Sequence, residues 1–468
     1  MSARGPLGLA LLLVAGCTAR PPSFSEQFDA ETVGRTLPSN FLLGTATASH
    51  QVEGGNSNDW TDWEASSYPD GRPHIRNNDQ SGLATDSWNR FDEDLQLMKS
   101  LGSNAYRFSI EWSRVEPEKG VFDDAALDRY RDWARKLRQN GITPMVTLWH
   151  FALPKWVAAQ GGFEVDETKD DFRVYVAHVA ERLGADVDFW CTLNEPNVYI
   201  TFSYLLGQWP PGKVDQALSG DVLARLMEAH AVAAQALREN DVTDADGDGF
   251  ATRIGIAQHM RIFQPATQAT LDIAIAGLTD EYFNSSFIDA VATGHIRLNI
   301  PGAVDIDRDV EGLKGSFDYL GINYYTRDHV RADLTDPALS HQYVPSSRPM
   351  NDLGWDIYPE GLYVLVKRFS RYGWPIYITE NGIADAAGDK RPQYLLQHLA
   401  ALERAHSEGV DVRGYFHWAL LDNFEWADGF TPRFGLYSVN YADPTLPRNV
   451  TPAVETFKTV AGNLGAEP

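Results

Sequence analysis

Short apolar runs alternate along the chain with longer amphipathic segments. The runs are rich in β-branched and aromatic residues and predict eight strands, at residues 41–47, 104–110, 143–149, 188–193, 253–259, 317–323, 375–379 and 413–420. The segments between them have helical periodicity, and several begin with Asp or Thr, which favour helix N-termini. They predict helices at residues 86–101, 125–140, 170–183, 221–240, 270–292, 359–372, 392–408 and 452–461.

Eight alternations of strand and helix over one continuous length, without an internal Ser/Gly-rich linker, are typical of one (β/α)8 barrel. A doubly wound sheet is the competing fold, but no glycine-rich phosphate loop follows the first strand. We therefore expect an α/β protein, with a single (β/α)8 TIM barrel over residues 37–468. Extended loops at the carboxyl ends of the strands are expected to carry the functional residues.

The composition restricts the possible functions. With 468 residues, of which 43% are hydrophobic, the chain can bury a large core. It has 64 acidic and 40 basic residues and a net charge of −24, which repels phosphate backbones and anionic lipids, so we expect no nucleic-acid partner. The 13 Trp, 19 Tyr and 22 Phe suit stacking on sugar faces, although a large barrel also buries many aromatic rings as packing.

The N-terminus has the pattern of an export signal. Arg4 precedes an apolar run at residues 6–16, which is too short to cross a bilayer but suits a secretory signal peptide. The run ends in Leu-Val-Ala-Gly-Cys17, which resembles the lipobox of bacterial lipoproteins, where the cysteine becomes the lipid-bearing first residue. This interpretation predicts a lipoprotein-type signal peptide at residues 1–16, lipid attachment at Cys17 and a tether at residues 17–36. The alternative is an ordinary signal peptide with an incidental Cys17.

The neighbours of Cys17 bear on the location of the protein. No charged residue follows Cys17 directly, which in the lipoprotein pattern favours the outer membrane over retention in the inner membrane. We therefore expect an exported protein whose lipid anchor at Cys17 is its sole membrane contact. The second cysteine, Cys191, lies in an apolar strand and is expected to be a buried thiol, so no disulfide is predicted.

Two short runs carry the candidate chemistry. Residues 192–196 have the sequence TLNEP, and residues 377–382 have the sequence YITENG. In each run an apolar, β-rich stretch ends in a glutamate, Glu195 or Glu380, that has an amide neighbour and is followed closely by a chain-breaking residue. A barrel brings the carboxyl ends of its strands together, so the two glutamates are expected to lie close to each other. They are candidates for a general acid and a nucleophile that act as a pair.

Polar or aromatic residues stand at or after the ends of most of the predicted strands: Gln51, Arg107, His150, Asn194, Asn323, Tyr325 and Trp418. The sequence has no His/Cys/carboxylate cluster with metal-ligand spacing, no Gly-x-Ser-x-Gly elbow and no Walker loop. Two carboxyls among such neighbours suit hydrolysis of a glycosidic bond, which needs one protonated and one ionised carboxyl. We expect Arg107 to hold Glu380 ionised, and the charge of Glu380 to raise the pKa of Glu195.

These motifs resemble those of the glycoside hydrolase family 1 β-glucosidases over residues 41–457. Residues 194–196 match the family's acid/base motif, and residues 379–382 match its nucleophile motif. The glycone-binding positions are matched by Gln51 in ASHQVEG, by His150 in LWHF, and by Trp418, Glu425 and Trp426 in WALLDNFEW. Asn323 and Tyr325 in GINYY match positions that the family places beside the nucleophile.

The resemblance implies a retaining mechanism. Glu380 would attack the anomeric carbon, and Glu195 would protonate the leaving oxygen and later activate water, with the two carboxyls roughly 5 to 5.5 Å apart. Asn194 would bind the 2-hydroxyl, and Tyr325 and Arg107 would hold Glu380. The remaining hydroxyls would be bound by Gln51, His150, Glu425 and Trp426, above a floor formed by Trp418.

The glycone is expected to be an unphosphorylated sugar. The branch of the family that takes 6-phosphorylated sugars has a serine at the position of Glu425, followed at fixed offsets by a lysine and a tyrosine. Here those offsets hold Pro432 and Phe434, which cannot bind a phosphate. Trp355 is an open candidate for the rim that meets the leaving group, whereas Trp60, Trp63, Trp133 and Trp374 are expected to be packing residues.

The preferred function is therefore an exo-acting β-glycosidase, most simply a β-glucosidase that releases a terminal non-reducing β-D-glucosyl residue and requires no cofactor. A transglycosidase on the same residues is the alternative. A non-catalytic sugar-binding relative is disfavoured, because such proteins usually lose one of the two glutamates. The sequence does not rank glucose, galactose, fucose and mannose, and it does not give the oligomeric state.

Residues 244–249 have the sequence DADGDG, which is similar to the start of a calcium loop with oxygens at positions one, three and five. Asp244, Asp246 and Asp248 would be the ligands of a weak calcium site. The bidentate acid expected at position twelve is missing, because Gly255 is there. A solvated acidic turn remains the alternative.

Overall fold

The computed structural model describes residues 21–300, 302–333 and 348–465, together with the backbone of residues 341–343. The predicted signal peptide at residues 1–16 and lipid attachment at Cys17 lie outside the described residues and stay predictions. In the part of the chain that is described, no helix is long and apolar enough to cross a membrane.

Eight parallel strands form a closed barrel, as the sequence predicts. They are β1 (Leu42–Ala46), β2 (Ala105–Ser109), β3 (Thr143–Trp149), β4 (Phe189–Asn194), β5 (Arg253–Pro265), β6 (Leu320–Ala332), β7 (Ile376–Asn381) and β8 (Val412–Trp418). Each strand pairs with the next, and β8 closes the barrel on β1 with Gly414 opposite Leu42. Strands β5 and β6 run further than predicted because they stay paired beyond the barrel, from Ile262 opposite Arg327 to Pro265 opposite Val330.

Helices cover the outside of the barrel at the predicted places. They are α1 (Ser87–Leu101), α2 (Asp124–Gln139), α3 (Glu167–Leu183), α4 (Gln216–Asn240), α5 (Thr270–Asp280), α6 (Ser286–Thr293), α7 (Pro359–Phe369), α8 (Arg391–Ser407) and α9 (Pro452–Asn463). The predicted single helix at 270–292 is divided into α5 and α6 by a wider turn at Glu281–Ser285. Aspartate side chains cap two N-termini as expected, since Asp123 accepts from the amides of Ala125 and Ala126, and Asp215 from that of Leu218.

Shorter elements lie in the loops. Short helices follow the strands at Ser49–Val52, Asp59–Glu64, Trp112–Val115, Lys155–Gln160 and Pro196–Ile200. Two antiparallel hairpins pair His295–Ile300 with Val304–Asp309 and Tyr437–Val439 with Arg448–Val450, and His341–Tyr343 adds an antiparallel strand beside β6.

The barrel interior is filled by its own cluster of side chains, including Ala105, Met145, Phe189, Tyr319, Tyr377 and Phe416. Alternate residues of a strand share a face, so Ala105 and Phe189 lie on the same faces as Arg107 and Cys191, which contact each other inside the barrel. This apolar plug closes the barrel below Arg107. The polar site therefore opens only toward the carboxyl ends of the strands.

The N-terminal segment is part of the folded domain, which corrects the predicted tether at 17–36. The amide of Phe24 donates to Glu360 on α7, and Gln393 on α8 bonds both the amide and the carbonyl of Phe28. Phe24 and Val33 are buried. The polar and Pro-rich composition of this stretch favoured a tether. The apolar side chains spaced along it bury against the barrel instead.

Candidate active site

The two glutamates lie at the carboxyl ends of their strands. Glu195 directly follows β4 and has a left-handed backbone, with φ 46° and ψ 56°, before the helix that begins at Pro196. A non-glycine residue in this region is strained and is held there by its surroundings. Glu380 lies within β7. Only 6% of Glu195 and 4% of Glu380 are exposed, so each carboxyl interacts almost entirely with protein groups.

Both oxygens of Glu380 accept a hydrogen bond. Arg107 Nη1 lies 2.6 Å from Oε1, and the Tyr325 hydroxyl donates to Oε2 at 2.7 Å. Arg107 is itself held by Thr147 Oγ1 and by the carbonyl of Thr379. Sequence reasoning anticipated both contacts to Glu380. Together they fix the orientation of this carboxylate.

Asn194 connects Arg107 to His150. Arg107 can only donate, so Asn194 Oδ1 accepts its Nη2 at 2.7 Å, and the amide Nδ2 is the group that faces His150 Nε2 at 3.1 Å. His150 Nε2 therefore accepts, and the ring carries its proton on Nδ1. Burial holds the pKa of His150 well below its ordinary value, so the ring is neutral.

Two buried polar atoms of this cleft lack a hydrogen-bond partner among the described residues: His150 Nδ1 and Gln51 Oε1. Gln51 is fixed by its Nε2, which donates to the carbonyl of Phe424 at 2.8 Å and to Asn423 Oδ1 at 3.1 Å. Leaving a buried donor and acceptor unpaired is costly. A sugar hydroxyl, which both donates and accepts, satisfies such a pair.

Aromatic rings form the walls of the cleft. His150 stacks near Trp418 and Trp426, with ring centroids 6.0 and 5.9 Å apart. Trp426 is backed by Trp60, 4.6 Å away, which agrees with the packing role expected for Trp60. On the opposite side Trp355 meets Tyr325 edge-on at 5.9 Å, which places the candidate rim residue next to the partner of Glu380.

Glu425 is the third buried carboxyl of the site. Trp418 Nε1 donates to its Oε1 at 3.1 Å, and Gln51 Nε2 lies 3.4 Å from its Oε2. Burial raises the pKa of Glu425 to about 8, against the smaller effect of the Trp418 hydrogen bond. The group is therefore protonated at neutral pH before a ligand binds. Charge repulsion by Glu425 is thus a weak argument against a phosphate. The stronger argument is that Pro432 and Phe434 are both buried apolar residues, which cannot bind one.

Glu195 differs from Glu380 because one oxygen holds all of its side-chain hydrogen bonds. Asn323 Nδ2 lies 2.8 Å from Oε1, and His259 Nδ1 lies 2.9 Å from the same atom. No hydrogen bond to Oε2 is formed among the described residues. That oxygen can carry a proton without displacing a donor.

Sequence reasoning missed His259 and its neighbour Arg261. His259 lies on β5, the one strand whose carboxyl end was assigned no site residue, and only 4% of it is exposed. Arg261 Nε lies 3.0 Å from His259 Nε2. Its position was the available signal. A histidine at the predicted carboxyl end of a barrel strand is a candidate site residue for the same reason as Asn323 or Tyr325.

His259 changes the expected distribution of charge between the two glutamates. Burial raises the pKa of Glu380 to about 7, with the charge of Glu195 adding to burial and Arg107 opposing it. Burial also raises the pKa of Glu195, but a positive charge on His259 and the hydrogen bonds from His259 and Asn323 outweigh it and bring this pKa below its usual range. A positive charge on His259 would therefore oppose the predicted rise of the pKa of Glu195, and the protonation of the carboxyl pair depends on that of His259.

The acidic turn lies apart from these residues, before β5. Carboxylate oxygens of Asp244, Asp246 and Asp248 lie within 4.8 Å of one another, and all three residues are exposed. Arg253 forms ion pairs with Asp246 and Asp248, so an internal cation already neutralises part of the cluster. Calcium binding there stays a prediction.

Comparison with known proteins agrees with this geometry. The model of Glycosyl hydrolase family 1 matches residues 33–465. The chain is similar to a 1,4-beta-D-glucan glucohydrolase of Thermotoga neapolitana, at 34% identity over 87% of this chain and 98% of that protein. It is also similar to the structure of a beta-glycosidase from Pyrococcus horikoshii, at 37% identity and a TM-score of 0.81 over 92% and 95% of the two chains. The beta-glucosidase from Thermotoga maritima in complex with glucoimidazole has 32% identity and a TM-score of 0.81 over 92% and 99%. The chain belongs to glycosyl hydrolase family 1.

Proposed function

We propose that the protein is a retaining, exo-acting β-glucosidase that removes a terminal, unphosphorylated β-D-glucosyl residue from oligosaccharides or other glycosides. One observation carries the proposal: Glu380 is held at both oxygens, whereas Glu195 is held at one and keeps Oε2 available for a proton. This asymmetry matches the two different tasks of the carboxyls in double displacement. The relatives named for glucan or glucoside hydrolysis support the same substrate class.

In the first step Glu380 attacks the anomeric carbon. A bond forms between a carboxylate oxygen of Glu380 and this carbon, and the bond to the leaving oxygen breaks. Glu195 gives its proton to that oxygen, so the departing group leaves as an alcohol. Arg107 and Tyr325 hold Glu380 in the attacking orientation throughout this step.

In the second step water cleaves the glycosyl-enzyme. Glu380 is now an ester without charge, so the repulsion that favoured protonated Glu195 is gone and its pKa falls. Glu195 can then take a proton from the attacking water. Both displacements invert the anomeric carbon, and the product therefore keeps the β configuration.

The unpartnered atoms of Gln51 and His150 support a polar glycone, and Trp418 and Trp426 support stacking against its ring face. Hydrolysis rates on a panel of nitrophenyl β-glycosides test the proposal. We expect the highest kcat/KM on the glucoside. The 6-phosphoglucoside should be slower by more than about 10³-fold, because the two positions that bind the phosphate in the branch of the family for 6-phosphorylated sugars hold Pro432 and Phe434 here. A 6-phosphoglucoside hydrolysed as well as the glucoside would contradict the proposal.

We further propose that the enzyme is exported and anchored by a lipid on Cys17, with the barrel held close to the outer membrane. Since residues 24–36 are bound to the barrel, only residues 18–23 would lie between lipid and enzyme. Expression with radiolabelled fatty acid tests this: the full chain should be labelled and should sediment with membranes. The Cys17→Ser variant should do neither, and label on that variant would refute the anchor.

A further inference from the structure

His259 and Arg261 form a hydrogen-bonded pair beside Oε1 of Glu195. Both lie on β5, two residues apart. His259 Nδ1 is 2.9 Å from Glu195 Oε1, and Arg261 Nε is 3.0 Å from His259 Nε2. The chain of contacts continues to β6, where Asp328 Oδ2 lies 3.0 Å from Arg261 Nη1.

The protonation of His259 follows from its partners. A guanidinium has donors and no acceptor and does not lose its charge in proteins. Arg261 Nε therefore donates to His259 Nε2, which must be an unprotonated acceptor. The single ring proton is then on Nδ1 and points to Glu195 Oε1. This is the neutral Nδ1–H tautomer, and a second proton could enter the ring only by breaking the contact with Arg261.

Other charged and titratable groups of the described residues reach this contact from three strands, β2, β6 and β7. Arg107 on β2 and Glu380 on β7 lie on the nucleophile side, while Tyr325 on β6 stacks on the His259 ring at 5.7 Å. Asp328 pairs with Arg261 and offsets its charge as felt by Glu195. The guanidinium also lies 5.5 Å from the Trp355 ring. If His259 were protonated, its ring would carry the positive charge closest to Glu195 Oε1.

We propose that Arg261 holds His259 as the neutral Nδ1–H tautomer, so that His259 orients the Glu195 carboxyl without pairing with it as a cation. The pair consists of positioning residues, because neither needs to touch the sugar. A neutral donor on Oε1 leaves the proton on Oε2 for the leaving oxygen. The inference rests on the proposed function, in which Glu195 is the general acid.

Variants at the two positions separate this role from a role of Arg261 as a simple positive charge. Arg261→Met removes the donor that blocks His259 Nε2, so His259 should gain a proton and draw Glu195 toward the ionised form. The alkaline limb of kcat/KM should move to lower pH, by about one unit. Loss of a simple positive charge would instead raise the pKa of Glu195 and move the limb to higher pH, which would overturn the proposal.

The leaving group provides the second readout. Phenyl β-glucoside needs a proton from Glu195, whereas 2,4-dinitrophenyl β-glucoside expels a stable phenolate without one. At pH 7 we expect Arg261→Met to lose up to about tenfold in kcat/KM on the phenyl substrate, which is the most that a shift of one unit allows, and less than about threefold on the dinitrophenyl substrate. Equal losses on both substrates would mean that Arg261 packs the site or binds the aglycone, and would overturn the proposal.

His259→Asn is the matched control, because its amide can still donate to Glu195 but cannot become charged. In the double variant His259→Asn/Arg261→Met, kcat/KM on the phenyl substrate should recover to the level of His259→Asn alone. The alkaline limb of the pH profile should also return to its position in His259→Asn. Absence of recovery would contradict the proposed role of His259.

A spectroscopic measurement tests the tautomer independently of catalysis and of variant folding. In protein labelled with ¹⁵N-histidine at pH 7, the His259 signals, assigned by their loss in His259→Asn, should have the pattern of the neutral Nδ1–H tautomer. A doubly protonated or an Nε2–H imidazole would overturn the inference. An intact tautomer in a protein that does not cleave β-glucosides would instead disprove the proposed function alone.

Discussion

At the scale of single residues, the nucleophile depends on the hydroxyl of Tyr325. The change Tyr325→Phe removes the 2.7 Å hydrogen bond to Glu380 Oε2 and leaves the ring in place. A hydrogen bond to a charged group is worth about 1.5–3 kcal/mol, so kcat/KM should fall roughly 10- to 100-fold. Because the lost donor favours ionised Glu380, the pKa of Glu380 should rise and the acidic limb of the pH profile should move to higher pH.

The adjacent tyrosine offers a matched control for this change. Tyr324 is also buried, but its hydroxyl donates at 2.5 Å to the carbonyl of Tyr358, away from the carboxyl pair. Tyr324→Phe should lower the melting temperature and leave the pH profile unchanged. An equal shift of the acidic limb in both variants would mean that the effect of Tyr325 is structural.

Glu425, a residue of the site, also affects the pH dependence of the protein's stability. Its pKa is raised by burial to about 8, so its protonated form is favoured by folding. The stability that such a group contributes is complete below its unfolded pKa and is lost as pH rises through the folded pKa. The loss is about 1.4 kcal/mol for each pH unit that separates the two pKa values. The melting temperature of the wild type should therefore fall between pH 5 and pH 9. The melting temperature of Glu425→Gln should fall less steeply over the same pH range.

Scanning calorimetry at several pH values measures this difference. Glu455→Gln, on exposed Glu455 paired with Lys458, is the control and should follow the wild type. Part of the decline should remain in Glu425→Gln, since the pKa values of Glu53 and Glu380, which are buried, and of half-buried Asp59 are also raised to about 7, chiefly by loss of contact with water. Identical slopes for Glu425→Gln and the wild type would exclude a protonated Glu425.

At the scale of elements, the N-terminal segment acts as a strap across α7 and α8. Phe24 and Val33 bury their side chains, and burial of each is worth roughly 1.5–3 kcal/mol before the entropy of ordering the segment is subtracted. A chain that begins at residue 37 should melt several degrees below one that begins at residue 21. Equal melting temperatures would show that the segment contributes no net stability, and kcat should be similar in both because the strap lies outside the site.

The same elements explain what the sequence could predict. All eight barrel strands and their helices were predicted because long alternating patterns report burial directly. The carboxyl end of β5 was the exception: the predicted strand ends at His259, while the observed strand continues to Pro265 through half-buried residues, polar and apolar alike, that pair with β6. Periodicity does not identify such residues. The prediction for residues 24–36 failed for a related reason, since a segment without regular secondary structure has no period by which its buried side chains could be recognised.

At the scale of the whole molecule, the barrel brings residues from strands far apart in sequence onto one cleft. Arg107 meets a glutamate 273 positions later, and Gln51 meets Glu425 374 positions later. The motif matches predicted these residues, because each functional role in the family belongs to a residue within a short conserved motif. They could not give the protonation of the pair, which depends on His259 and on burial, neither of which has a motif.

The central claim is that Glu380 is the nucleophile and Glu195 the acid/base. Each glutamate is replaced by alanine, and each variant is assayed on 2,4-dinitrophenyl β-glucoside with sodium azide. In Glu380→Ala, azide should attack from the face that the carboxylate left and give the α-glucosyl azide. In Glu195→Ala, the glycosyl-enzyme still forms, and azide should attack it from the other face to give the β-glucosyl azide. Nuclear magnetic resonance of the two products decides the question, and β-azide from Glu380→Ala or α-azide from Glu195→Ala would contradict the account.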